Sequence, residues 1–358
     1  MKIAMIGPKR YPDSREGGID IVVSHLAEEM VKKGHDVTIF VRGKKGYYPP
    51  KEYKGVKIER IFTLNSKSLD AIVYSYFATK KAKKGDFDVV HFHAEGNTLF
   101  LKKMRKSNKH VIVTIHGLDW KRGKFNTLGR KILLKSEKIV TKYADKVITL
   151  TKNDHDYFVD KYNLDTIVIP NGFEKPTYAK PDLIKEQYGL EKDSYILFLA
   201  RIVPEKGLHF LIDAYKGIDT NIKLVVAGGS SHSLDYYEEV KKNADGCENI
   251  IFTDFVQGQM LDELFSNALF YVLPSSIEGM PLSLIEALTH NNICVCSDIK
   301  ELKEVQSKNV IYFKSEDVED LRRVLKDTIE NCPSYKKERL FLDWEEVAEE
   351  TLKVYDNK

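Results

Sequence analysis

The sequence has few cysteines and no long apolar run. Its 358 residues contain only Cys247, Cys294, Cys296 and Cys332, with no CxxC pair and no histidines at zinc spacing beside them. Such sparse, unpaired cysteines are typical of a reducing compartment. No stretch approaches the roughly 20 apolar residues that a membrane span needs, and the N-terminal MKIAMIGPKR lacks the apolar core and cleavage site of a signal peptide. These absences predict a cytoplasmic protein.

The charge is unevenly distributed along the chain. The net charge is only +3, but residues 1–175 carry 35 basic and 20 acidic residues, whereas the remainder carries 21 and 33. A basic half predicts an anionic partner, and nucleic acid, an anionic membrane surface and a phosphorylated substrate are the candidates. The chain has no zinc-finger spacing, no RNA-recognition signature and no interleaved aromatic and basic stripe, so we expect no nucleic-acid partner.

The order of apolar runs predicts an α/β protein with two domains. Short β-branched runs alternate with amphipathic segments of 10–17 residues, first from KIAMIG (2–7) and again from YILFLAR (195–201). This alternation is typical of parallel sheets covered by helices on both faces. Three prolines in PNGFEKPTYAKPD (170–182) mark the linker. We therefore expect two doubly wound, Rossmann-like domains that face a central crevice at the carboxyl ends of their strands.

Two glutamates stand out in SSIEGMPLSLIEAL (275–288). Glu278 follows an apolar strand, and Pro281 suits the first turn of a helix. The helix start would turn several backbone amides towards a phosphate or a sugar, namely those of Gly279, Met280, Leu282 and Ser283. Glu286 lies about one and a half turns into the helix, where its carboxylate suits a pair of ribose hydroxyls better than a phosphate. The alternative is a capping role for Glu278 and a solvated position for Glu286.

Two glutamates separated by seven residues in this setting resemble the signature of retaining glycosyltransferases of family 4, whose fold is GT-B. ARIVPEKGLHFLIDAY (200–215) resembles the strand, loop and helix with which that family grips the donor diphosphate through an arginine and a lysine, here Arg201 and Lys206. VIPNG, LVVAGG, DFV and the closing DWEEVAEETLKVY also occur in the family's order. The resemblance adds Val256, in DFV, to the donor-binding residues.

The resemblance also implies a division of labour between the domains. Residues 1–175 would form the acceptor-binding domain, and residues 176–342 the nucleotide-sugar-binding domain. A C-terminal helix at 343–358 would cross back onto the first domain. Gly17 and Gly18, in the loop GPKRYPDSREGGID (7–20), would lie beside the donor phosphates or the acceptor, because glycines allow close backbone approach.

His116 ends the apolar run HVIVTIHG (110–117), where the family places a histidine at the donor sugar. We therefore expect His116 and Glu278 to be the catalytic residues, with Glu278 binding sugar hydroxyls or stabilising positive charge rather than acting as nucleophile. His91 and His93 share one face of the preceding run. A zinc pair there lacks a third ligand in the sequence. The segment Asp119–Arg122 resembles a branch of bacterial rhamnosyltransferases of surface-polysaccharide assembly.

No metal and no cofactor are expected. Two cations, Arg201 and Lys206, can stabilise the departing nucleoside diphosphate without a metal ion. The acidic pair Asp86 and Asp88 precedes a strand rather than following one, which places it poorly for a metal site. The resemblance implies a nucleotide-sugar donor, UDP- or dTDP-linked.

A stripe of lysines lies within RKILLKSEKIVTKYADK (130–146). Lys131, Lys135, Lys138, Lys142 and Lys146 recur at helical spacing and would share one face. A solvated helix face is the plain interpretation. The charge of the whole first half favours contact with an anionic membrane, where each basic residue contributes about 1 kcal/mol.

Together these features predict a hexosyl-type glycosyltransferase that retains anomeric configuration. It would move a sugar from a nucleoside diphosphate to a lipid-linked or oligosaccharide acceptor in cell-surface polysaccharide biosynthesis, at the inner face of the membrane. A GT-B nucleotide-sugar epimerase or a phosphorylase-like enzyme is the alternative, and a nucleic-acid-binding protein is a weaker one.

Overall fold

A computed structural model describes residues 1–12, 18–66, 69–121, 125–229 and 234–356. The chain forms two compact units. Met1–Gly172 and Leu342–Lys358 make up unit 1, and Phe173–Phe341 make up unit 2. No helix in the described ranges has the length and apolar character that crossing a bilayer requires.

Unit 1 contains an eight-stranded sheet with the order β3-β4-β2-β1-β5-β6-β7-β8. All neighbours are parallel except β3 and β4, which form an antiparallel pair. The strands are β1 (Lys2–Ile6), β2 (Asp36–Arg42), β3 (Glu52–Tyr53), β4 (Val56–Ile61), β5 (Val89–His93), β6 (His110–Ile115), β7 (Lys146–Thr149) and β8 (Ile167–Val168). Strands β5 and β6 are buried throughout, as expected of central strands covered on both faces.

The helices of unit 1 are α1 (Gly18–Lys32), α2 (Asp70–Lys84), α3 (Thr127–Tyr143), α4 (Lys152–Tyr162) and α12 (Trp344–Asp356). The amphipathic segments at 19–35, 69–85 and 128–144 in the sequence predict α1, α2 and α3 to within a few residues. Helix α4 is not predicted, and Thr151 caps it by accepting a hydrogen bond from the Asp154 amide. The predicted lysine stripe is partly wrong. Helix α3 ends at Tyr143, and Lys146 is the first residue of β7.

Helix α12 is the C-terminal part of unit 1. Asp343 and Glu346 cap its start reciprocally, each side chain accepting from the other's amide at 3.0 Å. Trp344 is buried and stacks on His25 of α1, with ring centroids 4.8 Å apart. Lys33 pairs with Glu349 at 2.6 Å. The last helix therefore packs on α1, joined by an aromatic contact and an ion pair.

Unit 2 contains a six-stranded parallel sheet with the order β11-β10-β9-β12-β13-β14. The strands are β9 (Tyr195–Leu199), β10 (Lys223–Ala227), β11 (Ile250–Asp254), β12 (Phe270–Leu273), β13 (Cys294–Ser297) and β14 (Val310–Phe313). The helices are α5 (Leu183–Tyr188), α6 (Leu208–Lys216), α7 (Leu234–Ala244), α8 (Gln259–Asn267), α9 (Leu282–Thr289), α10 (Lys300–Lys303) and α11 (Val318–Glu330). Apolar clusters line the sheet, and Cys294 and Cys296 are buried in one of them, as free thiols.

Strand order changes direction between β9 and β12, since β10 lies on one side of β9 and β12 on the other. Ligands of doubly wound sheets bind at such a switch point, beyond the carboxyl ends of the strands. The loops after β9 and β12 carry Arg201, Lys206 and Glu278. The fold of unit 2 thus places these three residues at one edge of the sheet.

Candidate active site

The loops at the carboxyl edge of the unit 2 sheet are joined backbone to backbone. Gly207 ends the loop after β9 with φ +69°, and a Cβ there would lie 2.0 Å from the Pro274 carbonyl oxygen. The Ser276 amide donates to the Glu205 carbonyl at 3.0 Å. Only glycine permits so close an approach with this backbone conformation. The loop that carries Lys206 is therefore fixed against the loop that carries Glu278.

Gly228 makes a similar contact after β10. Its φ is +135°, and a Cβ would lie 1.9 Å from the Ala200 carbonyl oxygen. Its amide donates to the Asp254 carbonyl oxygen at 2.8 Å. The ends of β9, β10 and β11 are thus held together by backbone contacts, and Arg201, which follows β9, is half-buried.

Lys206 and Glu278 form an ion pair between Nζ and Oε1. Their side chains are 12% and 7% exposed, so the pair is largely removed from water. Mutual attraction stabilises a buried pair of this kind, and removal of either partner destabilises the fold because it leaves a buried charge unpaired. The structure therefore brings together a predicted donor-binding residue and a predicted catalytic residue that are 72 positions apart in sequence.

Helix α9 begins one residue later than expected. Pro281 is its N-cap, in an extended conformation, rather than a residue of the first turn, and Leu282 is the first helical residue. The amides of Leu282 and Ser283 belong to the first turn, whose N–H groups have no acceptor within a helix. Gly279 is buried and Met280 half-buried just before it. Leu282 and Ser283, two of the four residues of the predicted anion site, thus lie in the first turn of α9.

Tyr271 supports this helix start and was not predicted from the sequence. Its hydroxyl lies 2.8 Å from Ser283 Oγ and 3.2 Å from the Leu199 carbonyl oxygen, and the ring is fully buried in β12. It connects the start of α9 to the end of β9. No sequence signal distinguishes a tyrosine with this role from the other apolar residues of FYVL.

Val256 lies in the loop between β11 and α8 and is half-buried. It packs against the same apolar cluster as Met280 and Leu282. The structure thus gathers these three predicted donor-binding residues on one side of the sheet.

Glu286 is not the solvated acid of the alternative interpretation. It is half-buried on α9, and burial, reinforced by the nearby carboxylates of Glu174 and Asp262, raises its pKa from 4.5 to about 7. Near neutral pH its carboxyl group therefore exchanges readily between charged and neutral forms. Hydroxyl donors from a ligand would favour the charged form. His290, one turn on, lies with Nδ1 2.9 Å from the Glu286 carbonyl oxygen.

His116 in unit 1 follows β6 and contacts a buried histidine. Its Nε2 lies 3.1 Å from Nδ1 of His93. His91 is held between the Tyr355 hydroxyl, at 2.6 Å, and Thr114 Oγ1, at 2.7 Å. Burial lowers the pKa of His91 to about 3 and that of His93 well below its ordinary value, so both are neutral. Among the described residues, no group of three or more histidines, cysteines and acids is arranged to hold a metal ion.

Of the two predicted glycines, Gly18 is the first residue of α1, and Gly17 lies outside the described residues.

A group of buried acids near these histidines was not predicted. Glu137 of α3 is fully buried and accepts hydrogen bonds from Tyr162, at 2.6 Å, and Tyr157, at 3.0 Å, and pairs with Lys161 at 3.1 Å. Glu95, two residues beyond β5, is also fully buried, and burial raises its pKa well above the ordinary value, with the charges of other acids, Asp119 first, adding to the effect. Burial and these charges therefore favour the neutral form of its carboxyl group. No spacing in the sequence marks these residues.

Comparison with known proteins identifies the family. A family model described as "Glycosyltransferase Family 4" matches residues 16–175, and one described as "Glycosyl transferases group 1" matches residues 181–339. An uncharacterized glycosyltransferase of Methanocaldococcus jannaschii is 27% identical, over 99% of this chain and 98% of the relative.

Some relatives have named activities, and two of them are similar over most of this chain. The O-antigen chain mannosyltransferase C of Escherichia coli is 24% identical over 80% of this chain and 76% of its own length. The D-rhamnosyltransferase of Pseudomonas aeruginosa is 24% identical over 81% and 76%.

Solved structures share the fold. A sucrose-phosphate synthase from Thermosynechococcus elongatus superposes with a TM-score of 0.85 at 19% identity, over 99% of this chain and 98% of that protein. The Anabaena protein HepE, solved in complex with UDP and glucose, superposes with a TM-score of 0.82 at 15% identity over the whole of both chains. The chain belongs to the family 4 type of glycosyltransferases and has the GT-B fold.

Proposed function

We propose that this glycosyltransferase moves a hexosyl group from a UDP- or dTDP-linked sugar to a lipid-linked or oligosaccharide acceptor of cell-surface polysaccharide biosynthesis. We assign donor binding to unit 2 and acceptor binding to unit 1. The observation that carries the proposal is the fixed pair of loops that places Lys206 against Glu278 beside the start of α9. The named activities of the E. coli and P. aeruginosa relatives support the acceptor class, and the UDP complex of HepE supports the base.

The donor site stabilises the departing nucleoside diphosphate. As the bond between the sugar C1 and the phosphate oxygen breaks, negative charge grows on that oxygen. Arg201, Lys206 and the backbone amides at the α9 start meet this charge with fixed positive groups, which lowers the barrier without a metal ion. Glu286 accepts hydrogen bonds from the ribose hydroxyls.

Transfer proceeds with retention of anomeric configuration. The acceptor oxygen attacks C1 from the face that the phosphate leaves, and the acceptor proton passes to the departing phosphate oxygen. Glu278 binds sugar hydroxyls and stabilises the positive charge that develops on the ring, and Lys206 pairs with its carboxyl group. We assign the second catalytic role to His116, whose Nε2 lies 3.1 Å from His93 Nδ1.

The basic surface of unit 1 directs the enzyme to the inner face of an anionic membrane. The charge of residues 1–175 and the exposed lysines of α3, Lys131, Lys135, Lys138 and Lys142, support this placement. Phosphate-bearing acceptors would be concentrated there.

A thermal-shift panel of UDP, dTDP, GDP and ADP, each with a sugar form, tests the donor class. A ligand at 100 times its Kd stabilises the protein by about 2.7 kcal/mol, so the matching nucleotide should raise Tm and the others should not. No shift with any nucleotide would overturn the proposal. Incubation of the matching nucleotide sugar alone then separates the alternatives, because an epimerase changes the sugar with no acceptor present. NMR of the first product reports the anomeric configuration.

A further inference from the structure

Unit 1 has an open groove of about 930 Å³ on the outer side of α3. Its floor is apolar and aromatic, and the residues that form it are Leu99, Phe100, Ile139, Tyr143 and Tyr162. Its rim is basic, with Lys102 and Lys103 on one side and Lys135, Lys138 and Lys142 on the other. A volume of this size falls within the range of about 300–1,000 Å³ that is usual for sites of small molecules.

Helix α3 supplies both halves of this surface. Lys135, Lys138 and Lys142 follow at spacings of three and four and are all exposed, so they form one face. Ile139 and Tyr143, four residues apart, form the adjacent face and are half-buried. The core therefore covers this apolar face of the helix only in part.

The groove has no negative charge of its own. None of its described lining residues is acidic, and the five lysines form no ion pair with any carboxylate in the described ranges. The one acid of α3, Glu137, points into the core, where Lys161 and two tyrosines hold it. Lys103 instead lies 4.1 Å from the ring centroid of Tyr76. Five uncompensated cations around an apolar floor are complementary to an anion that carries a hydrocarbon chain.

We propose that this groove binds one molecule of a lipid phosphate or diphosphate, with the chain on the apolar floor and the phosphate between the lysines. The proposal deepens the proposed function, since it rests on a lipid-linked acceptor and names the part of unit 1 that holds it. It differs from general membrane attraction, because a groove of fixed volume saturates at one ligand and needs both the chain and the phosphate. A soluble glycan lacks the apolar chain, and Tyr162 already uses its hydroxyl on Glu137.

Binding of farnesyl diphosphate to the full chain, measured by isothermal titration calorimetry, tests the proposal. This probe has a short isoprenoid chain and a diphosphate and remains water-soluble. We expect one equivalent bound, and at least tenfold weaker binding of inorganic diphosphate and of farnesol. Saturating UDP, added beforehand, should leave this binding in place, which separates the groove from the donor site.

Variants of α3 then locate the site. Lys138→Gln with Lys142→Gln should weaken farnesyl diphosphate at least tenfold, and Ile139→Ser should weaken it severalfold through the chain alone. Lys131→Gln is the matched control, because Lys131 is an exposed lysine of the same helix that does not line the groove. Thermal melts of each variant confirm that unit 1 is intact.

The outcomes are distinct. Equal losses for Lys131→Gln and the double variant would overturn the proposal and indicate diffuse surface charge. If inorganic diphosphate binds as tightly as farnesyl diphosphate, the groove is only an anion site and the proposal is overturned. Displacement of farnesyl diphosphate by UDP would also overturn it. If the groove fails these tests while transfer to a soluble oligosaccharide continues, the proposed function stands. Failure of every nucleotide in the donor panel would sink the proposed function and leave the groove's lipid binding as measured.

Discussion

Replacement of Glu286 by glutamine should change how the protein's stability depends on pH. Burial and the carboxylates of Glu174 and Asp262 hold the pKa of Glu286 at about 7, compared with 4.5 for an ordinary glutamate. Between these two pH values the folded protein binds more protons than the unfolded chain. The contribution of Glu286 to the free energy of unfolding is therefore fully present below about pH 4.5, and it is lost as pH rises through about 7.

The size of the effect follows from the same shift. A tenfold change in proton affinity corresponds to about 1.4 kcal/mol, so a pKa that moves from 4.5 to about 7 sets an upper limit of about 3 kcal/mol. Glu286 retains partial solvent access, and screening reduces the charge interactions. We therefore expect a loss of about 1–2 kcal/mol in wild-type unfolding free energy across this pH range.

Urea unfolding at pH 5, 6, 7 and 8 measures this dependence. Glu286→Gln keeps the shape of the side chain and removes its charge, so the variant should be more stable than wild type at pH 8 by about 1–2 kcal/mol and nearly equal to it at pH 5. Glu238→Gln, an exposed glutamate of α7, is the matched control and should leave the profile unchanged.

Nucleotide binding supplies the second half of this test. If the carboxylate of Glu286 accepts ribose hydroxyls, donor affinity should rise as pH increases through about 7 in the wild type, and Glu286→Gln should lose at least tenfold in affinity while gaining stability. Superimposable stability profiles for wild type and Glu286→Gln would refute the claim that burial and repulsion destabilise the charged carboxylate.

Three further predictions concern the frame of the donor site. Lys206→Ala should destabilise unit 2 by about 3–5 kcal/mol, because it leaves the buried Glu278 carboxylate without its partner. The double variant Lys206→Gln with Glu278→Gln should fold nearly as well as wild type yet lose transfer, and comparable urea midpoints for the single and double variants would argue against a buried pair. Gly207→Ala should lower the free energy of unfolding by more than the roughly 1–2 kcal/mol of a left-handed alanine, because the added Cβ meets the Pro274 carbonyl. Gly246→Ala, at φ +79° with open space around it, should lose only that amount, and equal Tm values for the two variants would contradict the close approach at Gly207. Transfer activity should persist in EDTA, since Arg201 and Lys206 supply the positive charge, and a loss that magnesium or manganese restores would show that a metal is needed.

The sequence predicts the sheets well because their strands are buried on both faces. Runs such as those of β5 and β6 are buried from end to end, and such runs are typical of central parallel strands. The sequence does not predict helices that bury few side chains, because their apolar pattern is weak. Helix α4 reads KNDHDYFVDKY and buries only Asp154 and Phe158, so its helical period is faint, although the Thr151 cap was a visible signal.

The sequence names candidate donor-site residues but does not predict their geometry. Spacing and resemblance single out Lys206, Glu278 and Glu286. That Lys206 meets Glu278 depends on the frame made by Gly207, and no local pattern encodes a contact across 72 positions. The raised pKa of Glu286 likewise depends on burial and on Glu174 and Asp262, which come from separate parts of the chain.

The contacts of the unit 1 histidines also could not be predicted from the sequence, because their partners are distant along the chain. In sequence, His91 and His93 look alike, since both lie on one face of β5. In the structure their environments differ, because His91 is held by Tyr355 of the C-terminal helix and Thr114, whereas His93 contacts His116. Tyr355 reaches His91 only because α12 returns to unit 1 and is fixed there by Trp344 on His25. His93, which contacts His116, lies on the same strand as His91, and His91 is bonded to a residue 264 positions away in sequence. The partner of each histidine therefore follows from the path of the whole chain rather than from its neighbours in sequence.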